Sequence, residues 1–238
     1  MSEPKAAALC IPASRVREVR GELQGFVGLP TVNPYDALRS LTAGDACRFL
    51  PREETLSELY YGGITKYSCE NDGNYKQAIV YLLLVRDGRI LTYHRHSSGG
   101  EGRLHAMRSC GLGGHVEECD LVGHPPKWMS ATAWAAAREL REETQCSLRD
   151  MPAFSMSLIG FINDDSDPKN EAAKGKVPVG RVHLGLLYLV TLSPTAAPRF
   201  ALEIADPQWQ DPDAIDPAGY EGWSRIALEA IKDGRIGL

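Results

Sequence analysis

The stretch that most constrains this chain is Ser130 to Glu143, reading SATAWAAARELREE. Strong helix formers follow a serine suited to cap a helix, so the pattern predicts one continuous helix ending near Glu143. Within it Glu139, Glu142 and Glu143 are related by i, i+3 and i+4, which places the three carboxylates on one face about a turn long. Ala133, Ala136, Ala137 and Leu140 fall on the other side. Like charges at this spacing oppose each other by a few tenths of a kcal/mol, and acids in the last turns oppose the helix dipole by a similar amount. Something positive should compensate. Arg138 and Arg141 offer local relief, and a solvated face with Arg138 paired to Glu142 satisfies the spacing. A hard divalent cation is the other solution, because Mg²⁺ prefers carboxylate oxygens and keeps waters that can bridge to phosphates.

Strand patterns surround this helix. Gln77 to Val85 (QAIVYLLLV) is uncharged and β-rich, and Arg89 to His96 alternates after the Asp87-Gly88 turn, so the two read as a hairpin with a buried first strand and a half-exposed second. Ser155 to Asn163 and Arg181 to Leu192 read as further strands, separated by DDSDPKNEAAKGKVPVG, long enough to form a mobile flap. Tyr220 to Lys232 places Trp223, Ile226, Ala227 and Ile231 at helical spacing and predicts a closing helix on the sheet. Residues 97 to 115 hold six glycines, which permit close backbone approach to a ligand or make a flexible loop. Residues 1–70, broken by LPTVNPYD and FLPREE, read as an N-terminal lead-in segment, and 71–238 as the main domain.

The charge balance of 26 basic against 31 acidic residues, a net charge of -5, argues against a nucleic-acid backbone as main partner while leaving small anions open. The N-terminus shows no secretory pattern, and the most apolar run, Ala78 to Val85, is too short to span a bilayer, so a cytoplasmic protein without membrane attachment is expected. The six cysteines, at 10, 47, 69, 110, 119 and 146, are expected to be reduced in that setting.

The run RELREETQC (Arg138 to Cys146), preceded by GGHVEECD (Gly113 to Asp120), resembles the Nudix box, whose pattern is G-x5-E-x7-R-E-U-x-E-E-x-G-U with U aliphatic. Arg138, Glu139, Leu140, Glu142 and Glu143 match directly, and Gly114 can serve as the opening glycine. Asp120 stands where the pattern has Glu, seventeen residues rather than seven separate it from Arg138, and Gln145 holds the closing glycine position. The ten extra residues lie in LVGHPPKWMS and can enlarge the loop before the helix. A glycine past a helix end commonly adopts a left-handed cap, so Gln145 calls for a different terminal turn. The flanks, ENDGNYKQAIVYLLL from Glu70, GRLHAMRSCGLGGHVE from Gly102, LIGFINDDSDP from Leu158 and GRVHLGLLY from Gly180, look like a bacterial branch of the family described as phosphoesterases.

The resemblance implies an α/β fold, a Nudix-type α/β/α sandwich with a mixed β-sheet. It implies a metal-dependent hydrolase that cleaves a diphosphate linkage in a small-molecule substrate, such as a nucleoside diphosphate derivative, with Mg²⁺ or Mn²⁺ as cofactor. Carried over residue by residue, Glu139, Glu142 and Glu143 become metal ligands, with Glu139 a ligand or the general base. Arg138 orients a box carboxylate through a bidentate contact, for which its planar fork suits it. Gly113 and Gly114 let backbone groups approach the site. A further carboxylate from Asp164, Asp165 or Glu203 completes it, with no choice among them from sequence. Arg103 and Arg181 are candidates to meet substrate phosphates, with surface solubility as their other reading. The assembled form, a homodimer included, stays open.

Two other functions fit parts of the pattern. An isomerase of the isopentenyl diphosphate type would use a cysteine, here Cys110, with a glutamate; a nucleotide-binding module without chemistry would account for Asp120 and Gln145. His105, His115, His124 and His183 read as structural or surface residues more readily than as ligands. Cys110, His115, Cys119 and His124 have near-zinc composition, but their spacing matches no common zinc motif.

Overall fold

The computed structural model describes residues 6–20, 24–28, 33–43, 47–57, 65–96, 107–122, 130–145, 154–165 and 177–238. The expected lead-in supplies β1 (Ala8–Pro12), α1 (Ala13–Arg20), β2 (Gly25–Gly28), α2 (Pro34–Leu41), β3 (Arg48–Leu50), β4 (Thr55–Ser57) and β5 (Thr65–Tyr67). There follow β6 (Tyr75–Arg86), β7 (Arg89–Arg95), β8 (Arg108–Ser109), β9 (Gly111–His115), α3 (Glu118–Val122) and α4 (Ala131–Thr144). The chain ends with β10 (Phe154–Asn163), α5 (Val179–Val182), β11 (His183–Leu192), β12 (Ile204–Gln210) and α6 (Gly222–Lys232).

Among the described residues ten strands form one mixed sheet around β6. One edge of β6 runs parallel to β11, from Gln77↔His183 to Val85↔Thr191. The other edge is shared in turn by β1, β9 and β7, all antiparallel. β10 and then β2 extend the sheet beyond β11, and β12 extends it beyond β7. Thus β1 and β2, from the first 70 residues, lie within the main sheet, while β4 and β5 pair only with each other.

The uncharged run in β6 exists because helices cover both faces of the sheet. Its even-numbered Val80, Leu82 and Leu84 pack with Ala135, Ala136 and Leu140 of α4. Its odd-numbered Tyr81 and Leu83 pack with Ile226, Ala227 and Ala230 of α6. This alternation, the two-residue period of a strand, assigns every neighbouring side chain to one layer or the other.

The Asp87-Gly88 turn has both residues at positive φ, 52° and 70°, the backbone that joins twisted antiparallel strands most tightly. Only Val85↔Ile90 and Arg86↔Arg89 pair across it. β7 is not half exposed as the alternation suggested: Ile90, Leu91, Thr92 and Tyr93 are all buried, because β12 flanks it and both core layers close over it. β11 starts at His183 rather than Arg181, since residues 179–182 make a helical turn whose Gly180 and Arg181 carbonyls accept from the buried Lys76 ammonium. The closing helix begins at Gly222, capped by the Glu221 carboxylate on the Trp223 and Ser224 amides. No described helix is long and apolar enough to cross a membrane. Of the expected flap at 164–180, residues 166–176 lie outside the described residues, as do 97–106 of the glycine-rich stretch 97–115, whose remainder forms β8 and β9.

Candidate active site

α4 is laid against the sheet by its small residues. Ala135 and Ala136 are fully buried over β6, which lets the helix approach closely. The Ser130 hydroxyl accepts the Ala133 amide at 3.2 Å, fixing the first turn as the sequence suggests. At the other end the expectation of a different turn is overturned. Gln145 itself adopts the left-handed conformation (φ 53°, ψ 11°) and donates its amide to the Arg141 carbonyl at 2.8 Å. The left-handed cap is thus kept with a non-glycine residue, whose exposed side chain adds no steric conflict beyond its own backbone strain.

The first half of the box closes on the second through one arginine. Arg138 Nε and Nη2 donate to the two Asp120 oxygens at 2.9 and 3.0 Å, and Asp120 is wholly buried. The amide of Glu117, just before α3, donates to Asp120 Oδ2 at 2.9 Å and holds the carboxylate from the other side. The ten-residue enlargement therefore leaves this contact intact, although 123–129 lie outside the described residues. Arg138 Nη1 donates to Glu139 Oε1 at 2.7 Å and to Glu142 Oε2 at 3.2 Å, and Nη2 also donates to the His115 carbonyl at 2.9 Å. The expected bidentate contact goes to Asp120; the helix carboxylates receive single bonds. Arg141 adds only an exposed contact to Glu142 at 3.9 Å.

Burial pushes the Glu139 carboxyl up to about 7, against the pull of the adjacent Arg138 charge. Glu143 is raised too, first by burial and then by the nearby Glu203. Burial opposes the Arg138 charge, but its hydrogen bonds to Asp120 and the adjacent Glu139 outweigh that and hold its pKa above the ordinary value.

Gly114 faces the Glu139 carboxylate so closely that a Cβ there would collide with it. Gly113 does not share that face: a Cβ on it would meet the Val80 carbonyl and Tyr81 instead. Of the three open candidates for a further carboxylate, Asp165 is tied to Lys76 Nζ at 2.7 Å and Asp164 accepts from Gln24 at 3.0 Å. Glu203 is the one whose charge is felt at Glu143. It is brought there because the last carbonyls of α4, Glu143 and Thr144, accept the amides of Ala201 and Arg199. Arg95, at the end of β7, opposes the rise at Glu143 and was missed in the sequence, where it read as one more polar position of a half-exposed strand. Arg103 lies outside the described residues, and Arg181 is exposed on α5.

Cys110 sits in the other layer. Its amide donates to Ser224 Oγ at 2.8 Å within the α6 core, and burial pushes the thiol up to about 12. The sheet separates it from Glu139, Glu142 and Glu143, so it does not meet the box glutamates. The five cysteines among the described residues are free thiols.

No protein-family model matches the sequence. Protein YmaB of Bacillus subtilis (strain 168) is 32% identical over 139 residues, which cover 58% of this chain and 60% of that protein, less than two thirds of its length. The crystal structure of Tm1382, a protein assigned to the Nudix hydrolases, superposes with a TM-score of 0.64 at 25% identity, over 95% of this chain and 98% of that one. A more distant likeness, with a TM-score of 0.42 and 17% identity, links 65% of the chain to 95% of the Escherichia coli dihydroneopterin triphosphate pyrophosphohydrolase. With a mixed sheet between helices, matched over nearly its whole length, and a box helix joined through Arg138 to the acid that precedes it, the chain has the α/β fold of the Nudix hydrolases.

Proposed function

We propose that this protein is a metal-dependent hydrolase that cleaves a diphosphate linkage in a nucleoside diphosphate derivative or related small molecule by attack of water on phosphorus. One observation carries the reading. A single arginine, pinned by the buried Asp120, holds both Glu139 and Glu142 while Glu143 projects from the same helical turn. Three carboxylates share one face with that arginine, and its charge is already engaged by a fourth carboxylate, so an oxygen-liking cation fits the donor set. The missing Cβ of Gly114 leaves room over Glu139.

Glu139, Glu142 and Glu143 would hold Mg²⁺ or Mn²⁺, with Glu203 the outside carboxylate. When bound, such a cation lowers the pKa of coordinated water and draws charge off the bridging phosphates. Arg138 keeps Glu139 and Glu142 oriented, and Asp120 keeps Arg138 extended. Glu139, deepest of the three, is placed to hold or accept a proton. Arg95 beside Glu143 adds positive charge toward a phosphate. These residues fall within 71–238, the segment proposed as the hydrolase domain; the cytoplasm is its proposed location.

The test is release of phosphate or nucleotide from a panel of diphosphate compounds with Mg²⁺ or Mn²⁺. Turnover that requires the metal and disappears in Glu143→Gln supports the reading. Folded, metal-supplied protein that turns over no member of the panel overturns it, and tight nucleotide binding unaltered by Glu143→Gln would favour the non-catalytic binding module.

A further inference from the structure

The face of the sheet away from α4 carries a second group of ligand-type side chains. Glu70, in the turn before β6, His115 at the end of β9 and His183 at the start of β11 bring one ligand atom each to within 4.8 Å of one another. The alternation of the strands assigns their layer. In β9, Leu112 and Gly114 face α4, whereas Gly111, Gly113 and therefore His115 face Tyr81 and the α6 layer. In β11, Leu184 and Leu186 face α4, whereas Gly185 faces Trp223 of α6, and His183 shares its side. The group is thus separated from the box glutamates by the thickness of the sheet.

Three features suit it to a metal. His183 Nδ1 lies 2.8 Å from the Val179 carbonyl, which can only accept, so Nδ1 carries a proton and the contact fixes the orientation of the ring. This carbonyl-oriented imidazole is the usual arrangement of a metal-binding histidine. Glu70 Oε1 accepts from Arg52 Nε at 3.3 Å, an outer contact that orients the carboxylate and leaves its second oxygen for a ligand role. The third feature is Gln77. It is fully buried, neighbours His183 directly in the parallel register and lies diagonal to His115, with its side chain on the same face. Neither its Oε1 nor its Nε2 has a hydrogen-bond partner among the described residues. A buried amide left in this way is unfavourable, and such a group commonly signals a water or ion that completes it.

We propose that Glu70, His115 and His183 form a second metal site, selective for a zinc-class divalent ion and independent of the box. Two imidazoles and one carboxylate favour zinc or cobalt over magnesium. Tetrahedral zinc with bonds of about 2.0–2.2 Å brings donors to roughly 3.3–3.6 Å of each other, so closure requires about 1 Å of movement, available to the partly exposed Glu70 side chain. Three protein ligands leave one position for water, next to the Gln77 amide. Bound there, the ion would join the turn before β6 to β9 and β11.

The test uses the full-length protein stripped with a chelator, then titrated with Co²⁺ and, separately, Zn²⁺. The expected result is one tightly held equivalent, giving the visible absorption of four-coordinate cobalt, that survives a large excess of Mg²⁺ and persists in Glu142→Gln/Glu143→Gln. In His115→Gln and Glu70→Gln the affinity should fall by on the order of a hundredfold, since loss of even an outer partner costs about 10–100-fold. Should His183→Gln fail to fold, the partly exposed Glu70 carries the test, with its fold verified by thermal melting. Cobalt binding unchanged by His115→Gln and Glu70→Gln, cobalt binding lost in the box double variant, or no equivalent retained by the wild type would each overturn the proposal.

Discussion

Asp120 and Arg138 form a two-pronged ion pair at 2.9 and 3.0 Å, with the carboxylate wholly buried. Removing one member of a buried pair leaves the other uncompensated, at a cost of about 3–5 kcal/mol. Asp120→Ala should lower stability by that order in urea denaturation. Asp120→Glu restores the residue of the Nudix pattern, yet adds a methylene to a filled site, and should itself destabilise by about 1–3 kcal/mol. A Glu variant as stable as the wild type would show that the α3 turn relaxes freely.

Gln145 holds a left-handed backbone at the end of α4, with its side chain in solvent. Gln145→Gly removes the Cβ strain and should stabilise by about 1 kcal/mol, or roughly 2–4 °C in Tm for a chain of this size. Calorimetry showing no rise would place the strain elsewhere.

Gly114→Ala places a methyl where the Glu139 carboxylate lies. Glu139 must then turn away from Arg138. Misplacement of a catalytic group by about 1 Å costs on the order of 10²-fold in rate, so hydrolysis should fall by that amount while the melting temperature changes little. Gly113→Ala meets the Val80 carbonyl instead and should be read first as lost stability.

The Cys110 thiol is pushed from 9.0 up to about 12 by burial. A raised folded pKa means that its contribution to stability is full below pH 9 and is lost as pH climbs toward 12. Cys110→Ala should therefore show a shallower decline in unfolding free energy than the wild type across that alkaline window. Native protein at pH 8 should resist alkylation at this cysteine, read by peptide mass mapping.

The box helix was legible from Ser130 to Glu143 because capping, propensity and spacing agree there. The strand Gln77–Val85 was legible because covering a sheet on both faces demands an unbroken apolar run, and Ser155–Asn163 through its apolar second half, Leu158 to Ile162. β2 and β12 were not: Gly25–Gly28 is four residues long, and Ile204–Gln210 carries Asp206 and Pro207 at a bulge, so neither shows a periodic pattern. Their pairing is decided by distant partners. Glu203 could be named among candidates but not chosen, because its approach to Glu143 depends on two backbone hydrogen bonds from residues 199 and 201. Arg95 was passed over since strand alternation gives the side of a residue, not what waits there.

β9 offers consecutive residues to opposite sides of the molecule: Gly114 looks toward Glu139, and His115 toward His183. The His115 carbonyl, meanwhile, anchors Arg138. A single-residue slip of this short strand against β6 would exchange the two outlooks at once, putting an imidazole among the acids and a bare glycine opposite the histidine. Both chemistries are therefore set by one registration, and a shift in it would be felt in the two places simultaneously.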